Sequence, residues 1–267
     1  MDDCTAEQLL HTEFARTLRK PFRQAVSEYR LLREGDRVAA CISGGKDSML
    51  LALLLRDLSR ELPLELAFLA MDPGYTPEHR RKIEDNAARL GLPLHVFETN
   101  VLRVVGNHAP GHPCFLCAKM RRGHLYAEAQ RLGCTKIALG HHFDDAVESV
   151  LMGLLYGGQV QAMLPRLNSK HYPGMELIRP MYLVRERAVQ DWTAASGLTF
   201  EPCGCPAAQR DQDTKRAEVK ALIAKLAAEN PQIEKNILNA VKSVDTRKVL
   251  GWRDAAGAHS FLDVFGE

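Results

Sequence analysis

Short, nearly continuous apolar runs alternate along this chain with longer segments in which apolar residues recur every three or four positions. The apolar runs lie at residues 37–42, 64–71, 94–98 and 136–140. The periodic segments lie at residues 49–58, 77–90, 115–132 and 144–156. The runs are typical of buried parallel strands, and the periodic segments are typical of helices packed on a sheet. The alternation therefore predicts an α/β fold, in which helices cover both faces of a parallel sheet.

The two ends of the chain follow other patterns. At residues 12–33 an apolar stripe with helical spacing lies opposite an arginine-rich side, and Pro21 predicts a break near Lys20. Beyond Gly157 we expect short strands at 162–167 and 176–179, followed by helices. These helices span residues 186–195, 211–228 and 231–244. The expected organisation is an N-terminal basic helical segment (1–34), a central α/β domain (35–200), and a cysteine loop with closing helices (201–267).

Composition narrows the class of protein. The chain has 267 residues, of which 46% are hydrophobic and 25% charged, so a disordered or collagen-like chain is excluded. No apolar run approaches the roughly 18 residues of a membrane span, and the first residues lack the apolar core of a secretory signal. A net charge of +2 neither supports nor excludes a nucleic-acid partner. Seven cysteines without a signal favour the cytoplasm, where clustered cysteines serve metal or redox chemistry.

The arginine-rich side of residues 12–33 has two interpretations. Its basic residues include Arg16, Arg19, Lys20 and Arg23, and few acidic residues accompany them. Such a run is often only a solvated helix face. The alternative is a surface that binds the phosphates of a nucleic acid.

A glycine loop joins the first strand to the first helix, with the sequence Ser43-Gly44-Gly45-Lys46-Asp47-Ser48. The glycines let the backbone turn sharply, and the helix start offers unpaired N–H groups and the positive end of its dipole. With Lys46 and two hydroxyl groups added, the loop predicts a phosphate or pyrophosphate site. A tight strand-to-helix turn would explain the glycines but not Lys46-Asp47. An adenine would lie across the strand ends, against the candidate walls Ala40, Ile42, Met71 and Asp72.

A second polar motif, Gly140-His-His-Phe-Asp-Asp145, ends a later strand at the same edge of the expected sheet. Two carboxylates beside a triphosphate repel it unless a divalent cation joins them, so the motif implies Mg²⁺. The alternative is a helix N-terminus that favours acidic residues, with Asp144 as its cap. The two interpretations are compatible.

The cysteines permit three kinds of site. Cys114 and Cys117 form a C-x-x-C pair, and Cys203 and Cys205 form a C-x-C pair far away in sequence. Together they could bind zinc, three or four of them could hold an iron–sulfur cluster, and the first pair alone could form a redox site. Cys41 and Cys134 lie in or beside strands, where cysteine is usually a small buried apolar residue.

These motifs together resemble those of the TtcA-type tRNA 2-thiocytidine synthetases, a family of the PP-loop ATP pyrophosphatases. The resemblance covers most of the chain, from Arg16 to Pro206. It is carried by the glycine loop, Cys114-x-x-Cys117 followed by Arg121-Arg122-Gly123, Leu139-Gly-His-His-x-Asp-Asp145, Leu155-Tyr-Gly-Gly158 and Arg179-Pro180. It implies a PP-loop fold at 35–200, with an N-terminal helix and a C-terminal helical extension.

The resemblance also implies an activity. ATP would adenylate the C2 oxygen of a cytidine in the tRNA anticodon loop, and sulfur would then replace that oxygen, with AMP and pyrophosphate released. The sulfur would come from sulfide or from a cysteine desulfurase. Two other functions stay open: a zinc-containing PP-loop adenylating ligase, and a nucleotide-binding iron–sulfur module without turnover. Dimers are common in such folds, so a homodimer is expected.

The family's residues map onto particular positions here. A [4Fe–4S] cluster would be held by Cys114, Cys117 and either Cys205 or Cys203, because the distal motif is one residue shorter than the family's. The catalytic residues would be Lys46, Asp47, Asp145 and Arg121, and Asp47 and Asp145 would also bind Mg²⁺. ATP would contact Ala40, Ile42, Ser43, Gly44, Gly45, Lys46, Asp47, Ser48, Met71, Gly140 and Asp145. The tRNA would contact Arg16, Arg19, Lys20, Arg23 and Arg122.

Overall fold

The structure is a computed structural model that describes residues 5–108, 113–200 and 215–265 of the chain. The chain divides into two compact units. The first comprises Met1–Ala146 and Leu164–Ala217, and the second comprises Val147–Met163 and Glu218–Glu267. The three-part division expected from the sequence stays a prediction. Within the described ranges, no helix is both long enough and apolar enough to cross a membrane.

A six-stranded sheet lies in the first unit. Its strands are β1 (Arg37–Ile42), β2 (Glu65–Asp72), β3 (Leu94–Glu98), β4 (Lys136–Ala138), β5 (Arg166–Asn168) and β6 (Glu176–Ile178). They are ordered β3-β2-β1-β4-β6-β5, and every neighbouring pair is parallel except β5 and β6. The parallel α/β sheet expected from the sequence is therefore confirmed, with one antiparallel edge strand. The exception arises because residues 169–175 are too few for a crossover between parallel strands.

The helices follow the strands in the expected alternation. They are α1 (Thr5–His11), α2 (Lys20–Glu28), α3 (Lys46–Ser59), α4 (Pro77–Arg89), α5 (Val101–His108), α6 (Pro113–Arg131), α7 (Phe143–Gly157), α8 (Glu186–Ser196), α9 (Lys215–Glu229) and α10 (Ile233–Lys242). The shorter elements are a π-helical turn (Ala15–Arg19), two 3₁₀ turns (Thr246–Lys248 and Phe261–Val264), and the hairpin of β7 (Gly251–Arg253) and β8 (Ala258–Ser260). The sequence pattern did not predict α5 or this hairpin.

Helix α3 is the central helix of the first unit, and it carries the glycine loop at its start. Every side chain from Met49 to Leu55 is fully buried. A helix that is apolar all round must be covered on all sides: one side packs on β1 and β2, and another packs on α8. Each fully buried leucine contributes about 1.5–3 kcal/mol to stability. The body of α3 is thus anchored firmly behind its N-terminus.

The break expected near Lys20 is present. A π-helical turn ends at Arg19 and α2 begins at Lys20, so that Pro21 falls in the first turn of the new helix. Proline is tolerated there because its missing N–H has no partner within a helix.

The arginines of this segment do not all face solvent. Arg19 pairs with the buried Asp57 of α3 at 2.7 Å and with Glu61 at 2.7 Å, and Arg23 pairs with Glu61 at 2.5 Å. These pairs attach the N-terminal segment to α3, and they neutralise part of the positive charge of Arg19 and Arg23. Arg16 and Lys20 are exposed, and the described residues offer them no ion-pair partner within 4.0 Å.

The second unit has a smaller apolar interior. Val219, Ile223 and Leu238 are its buried residues on α9 and α10. The Tyr156 hydroxyl group at the end of α7 donates to Glu218 at 2.6 Å, and Trp252 and His259 stack across the β7–β8 hairpin with ring centroids 5.0 Å apart.

Candidate active site

The glycine loop, Asp72 and the segment 140–145 lie where the direction of strand connection reverses. Strand β1 has β2 on one side and β4 on the other, and all three are parallel. In open α/β sheets, ligands bind beyond the carboxyl ends of the strands at such a switch point. The glycine loop follows β1, Asp72 ends β2, and the segment from Gly140 to Asp145 follows β4. The fold thus brings the glycine loop, Asp72 and the segment 140–145 to one edge of the sheet.

Hydrogen bonds of the Ser48 hydroxyl group fix the shape of the glycine loop. The Ser43 N–H donates to Ser48 Oγ at 3.1 Å, and that hydroxyl donates to the Gly45 carbonyl at 2.8 Å. Gly44 has φ +88°, a left-handed conformation that favours glycine, and a Cβ there would lie 2.6 Å from a carbon of Ile83. Among the described residues, no side chain caps the N-terminus of α3. The first-turn N–H groups are therefore available to an anion.

Lys46 and Asp47 begin α3 and face two further polar groups. The Lys46 ammonium lies 3.0 Å from the Asp47 carboxylate and 3.9 Å from that of Glu186, which begins α8. The buried His142 ring places Nε2 3.9 Å from Asp47. The Lys46 ammonium therefore lies between two carboxylates at the start of α3. An incoming phosphate would meet the positive charge of Lys46 together with the negative charges of Asp47 and Glu186.

The two aspartates at the start of α7 are already engaged. Asp145 accepts a hydrogen bond from the His142 N–H at 2.9 Å and pairs with Arg216. Asp144 accepts from the Glu186 N–H at 2.7 Å and lies 3.4 Å from the Arg185 guanidinium. Both carboxylates therefore stabilise local structure, as expected for acidic residues at a helix start.

Among the described residues, no group of three or more histidine, cysteine, aspartate or glutamate side chains is arranged to hold a metal ion. Asp47 and Asp145 nevertheless both present carboxylate oxygens at one edge of the sheet, 3.9 Å and 3.4 Å from nitrogens of the His142 ring. Magnesium is commonly bound by one or two carboxylates together with the phosphates of a substrate. The donor chemistry of this pair therefore suits a cation that arrives with a nucleotide.

His141 and Arg179 lie side by side after neighbouring strands. The Leu139 N–H donates to the Ile178 carbonyl at 3.0 Å, so the segments after β4 and β6 leave the sheet together. Burial lowers the pKa of His141 to about 4, with the positive charge of Arg179 as the next cause. Burial also lowers the pKa of Arg179 to about 10, assisted by the charge of Arg122. At neutral pH the imidazole is neutral and the guanidinium is charged.

Arg121 is held against the loop that follows β2. Its Nη2 donates to the Tyr75 hydroxyl group at 3.3 Å, and its guanidinium lies 5.8 Å from the centroid of the Tyr75 ring. Asp72 in turn accepts hydrogen bonds from the N–H groups of Gly74 and Tyr75, each at 2.8 Å. The positively charged part of α6 is therefore fixed at the strand-end edge. The sequence pattern gave no sign of Tyr75 in this role.

The expected adenine walls are buried. Ala40, Ile42, Met71 and Asp72 each have less than a tenth of their surface exposed. Ala40 and Ile42 lie within β1, where they belong to the main apolar core together with Ala70 of β2. Whether an adenine contacts these residues stays a prediction.

The cysteines expected to bind a cluster are only partly described. Cys114 and Cys117 lie near the start of α6, one helical turn apart, but their side chains are outside the description. Cys203 and Cys205 lie outside the described residues. Cys41 and Cys134 are free and buried, as expected for apolar cysteines. Burial raises the pKa of Cys41 to about 12, which keeps its thiol protonated and unsuited to metal binding.

The contact between Gly140 and the start of α3 gives a prediction. A Cβ at position 140 would lie 3.0 Å from the backbone carbon and oxygen of Asp47 and 3.1 Å from the Ser48 nitrogen. Since backbone atoms cannot swing aside, Gly140→Ala should push the glycine loop away from β4. We expect a stability loss of about 1–3 kcal/mol, as for other overpacked sites, and ATP binding weakened by about tenfold or more. Urea denaturation and calorimetry measure the two effects.

Gly157→Ala is the matched control, because a Cβ at position 157 would meet nothing within 4 Å. That variant should bind ATP as the parent protein does. If Gly140→Ala bound ATP with the affinity of the parent protein, the close contact between Gly140 and the start of α3 would not matter for nucleotide binding.

A family model for the PP-loop domain matches residues 10–223. Among curated proteins, the chain is similar to the tRNA-cytidine(32) 2-sulfurtransferase of Syntrophotalea carbinolica, with 37% identity over 88% of this chain and 92% of that one. It is also similar to the enzyme of the same name from Geobacter sulfurreducens, with 35% identity over 85% of this chain and 89% of that one.

Among solved structures, the fold is similar to that of the U34-tRNA thiolase NcsA from Methanococcus maripaludis, which contains a [4Fe–4S] cluster. The TM-score is 0.68, and the alignment covers 84% of this chain and 76% of that one at 20% sequence identity. This likeness establishes the common architecture.

Proposed function

The chain belongs to the tRNA-cytidine(32) 2-sulfurtransferase family of PP-loop enzymes, and we propose that it uses ATP to replace the C2 oxygen of a tRNA cytidine with sulfur. The observation that carries the proposal is the pairing of two motifs at the strand-end edge. The open N-terminus of α3, with Lys46 and Asp47, lies opposite the segment after β4 that contains His142 and Asp145.

The reaction has two balanced steps. In the first, the C2 oxygen of the base attacks the α-phosphorus of ATP, an O–P bond forms, and pyrophosphate leaves. In the second, a sulfur nucleophile attacks C2, and AMP leaves with the former base oxygen. The first step is needed because an amide-like oxygen is a poor leaving group and AMP is a good one.

The residues of the loop fit the first step. Negative charge builds up on the departing pyrophosphate, and preorganised donors aimed at such charge contribute strongly to catalysis. We assign this role to the first-turn N–H groups of α3 and to Lys46. Asp47 and Asp145 would hold Mg²⁺ with the phosphates, because their oxygens are the ligands that this ion prefers. Arg121, fixed against Tyr75, would hold the activated base or its phosphate.

The sulfur step is assigned to the cysteine motifs. Cys114 and Cys117, with either Cys205 or Cys203, would hold a [4Fe–4S] cluster, since thiolates are the usual ligands of such clusters. When bound, the cluster supplies an iron site that carries sulfide. The start of α6 fits this assignment because Arg121, later on the same helix, lies at the strand-end edge. The sulfur donor would be free sulfide, or sulfide that a thiol reductant releases from the persulfide of a cysteine desulfurase with two electrons.

The tRNA would be bound by basic residues of the first unit. Exposed Arg16, Lys20 and Arg122 are the first candidates, and Arg19 and Arg23 would contribute less because Asp57 and Glu61 already pair with them. Binding through phosphates should weaken steeply with salt. We place the enzyme in the cytoplasm, where thiols stay reduced, and propose a homodimer.

The proposed function is tested with anaerobically purified protein, ATP, Mg²⁺, sulfide and a tRNA transcript. A transcript with cytidine at position 32 should yield 2-thiocytidine with one AMP and one pyrophosphate per product. A transcript with uridine at that position is the control and should yield neither thionucleoside nor excess AMP. Equal AMP formation with both transcripts, or no thionucleoside with either, would contradict the proposed function.

A further inference from the structure

Arg179 is a buried cation that pairs with no carboxylate of the described residues. It follows β6 directly, and only 6% of its surface is exposed. Its Nη1 donates to the Leu164 carbonyl, whereas its buried Nε has no hydrogen-bond partner among the described residues. In the described part of the chain, no carboxylate lies within 4.0 Å of this guanidinium.

A charge in this position is destabilising unless an anion compensates it. Removing a guanidinium from water without pairing it is strongly unfavourable, and buried polar atoms in folded proteins are nearly always hydrogen-bonded. The arginine nevertheless stays protonated at neutral pH, because its pKa falls only to about 10. An anionic ligand could therefore supply the negative charge and the hydrogen-bond acceptor that the Arg179 guanidinium does not find among the described residues.

The neighbouring groups add to the uncompensated positive charge and to the unsatisfied hydrogen-bonding groups. Arg122 of α6 adds a second positive charge that acts on Arg179. His141, which follows the adjacent strand, is neutral at pH 7, and its buried Nδ1 has no hydrogen-bond partner within the described ranges. Asp145 contributes only a weak attraction to Arg179, and Arg216 already pairs with it. A buried guanidinium and an unsatisfied imidazole thus lie after β6 and β4, and the positive charge of Arg122 acts on the guanidinium.

The chemistry of this cluster favours a phosphate group. The planar guanidinium presents paired N–H groups that match phosphate oxygens, and two arginines together suit a single phosphate better than a neutral ligand. The position argues against the phosphates of ATP. The glycine loop follows β1, and Arg179 lies two strands away across β4, which is about 10 Å at the usual spacing of strands.

We infer that Arg179 and Arg122 bind a backbone phosphate of the target nucleotide in tRNA, next to the pocket in which ATP is held. This inference rests on the proposed function, because it takes tRNA as the substrate. His141 would complete the site by donating or accepting one hydrogen bond. The site would hold the nucleotide by its backbone while its base reaches the α-phosphate over the end of β4.

The inference is tested by tRNA binding at several salt concentrations, with the full chain and an unmodified tRNA transcript as the probe. Arg122→Gln and Arg179→Gln should each weaken binding by about 10- to 100-fold and lower the salt slope by about one, as expected for one lost phosphate contact. Their effects should be less than additive in the double variant, since both residues contact one phosphate. ATP affinity, measured separately, should not change.

Arg187→Gln is the matched control, because Arg187 is an exposed arginine of α8 that pairs only with Asp191 among the described residues. It should leave tRNA binding and its salt slope unchanged. Arg179→Lys keeps the charge but loses the planar fork, and it should bind tRNA with intermediate affinity. If Arg179→Gln fails to fold, Arg179→Lys and the exposed Arg122→Gln decide the question.

Two results would overturn the inference. One is an unchanged tRNA affinity and salt slope in Arg122→Gln together with Arg179→Gln or Arg179→Lys. The other is a loss of ATP affinity with tRNA affinity intact, which would assign the phosphate to the nucleotide instead. Both differ from a failure of the proposed function, in which the unsubstituted protein itself would not bind or thiolate tRNA.

Discussion

Replacing Lys46 with methionine is expected to slow tRNA-dependent pyrophosphate release by about 10²- to 10³-fold, the usual effect of removing one preorganised donor at a developing negative charge. The ammonium group lies at the mouth of the glycine loop, 3.0 Å from Asp47 and 3.9 Å from Glu186. Without it, two carboxylates would face the departing pyrophosphate alone. The substitution should therefore lower the rate and also weaken ATP binding. A coupled pyrophosphate assay and calorimetry measure the two effects.

Lys82→Met on α4 is the control for this prediction, because Lys82 is not part of the glycine loop. It should release pyrophosphate at the parent rate. A Lys46→Met protein with the parent rate would show that the lysine takes no part in charge stabilisation, and the glycine loop would then be only a tight turn.

Replacing Cys114 or Cys117 with alanine is expected to abolish 2-thiocytidine formation while ATP binding stays intact. These positions lie one turn apart near the start of α6, whereas the ATP phosphates are assigned to the start of α3. Loss of one thiolate ligand should remove the cluster and its absorbance at about 400 nm, where thiolate-to-iron charge transfer is expected. Mass spectrometry of the tRNA product, iron analysis and calorimetry with ATP separate the two functions.

Cys134→Ala provides the matched control, since Cys134 is a buried thiol whose pKa is raised by burial. It should keep iron and thiolation activity. The assignment would be refuted by Cys114→Ala and Cys117→Ala proteins that retain both, or by an anaerobically purified parent protein that contains zinc and no iron. Parallel Cys203→Ala and Cys205→Ala variants identify the third ligand by the same measurements.

The sheet could be predicted from the sequence because its central strands are buried on both faces. Strands β1 and β3 begin and end at the expected residues, 37–42 and 94–98. Helix α5 was missed because it has only eight residues, with Gly106 among them, and so gives too few turns for a clear period. The β7–β8 hairpin was missed because its three-residue strands carry no clear alternation.

The glycine loop and the segment after β4 were located correctly because each is a local motif at a strand end. Their partners lie elsewhere in the chain. Glu186 reaches Lys46 from α8, and Tyr75 holds Arg121 from the loop after β2. Such pairings depend on the order of strands in the sheet, which a local pattern does not contain. The motif Arg179-Pro180 was visible in the sequence, but the burial of Arg179 away from the carboxylates of the described residues was not.

The arginine-rich N-terminal segment also shows that a local sequence pattern does not reveal contacts with distant residues. Its helical spacing and its break at Pro21 follow from local rules, and both are present in the structure. The two interpretations of its charge could not be separated, because Asp57 and Glu61 lie 38 and 42 residues beyond Arg19 in the chain. These partners give Arg19 and Arg23 a structural role, whereas Arg16 and Lys20 are exposed.

The central claim is that one protein couples ATP activation at the glycine loop to the insertion of sulfur into a tRNA cytidine. Mass spectrometry of tRNA nucleosides from cells with and without the gene tests it most directly. The account predicts that 2-thiocytidine disappears on deletion, returns with the parent gene, and does not return with the Lys46→Met or Cys117→Ala gene. Unchanged 2-thiocytidine in the deletion strain would contradict the account.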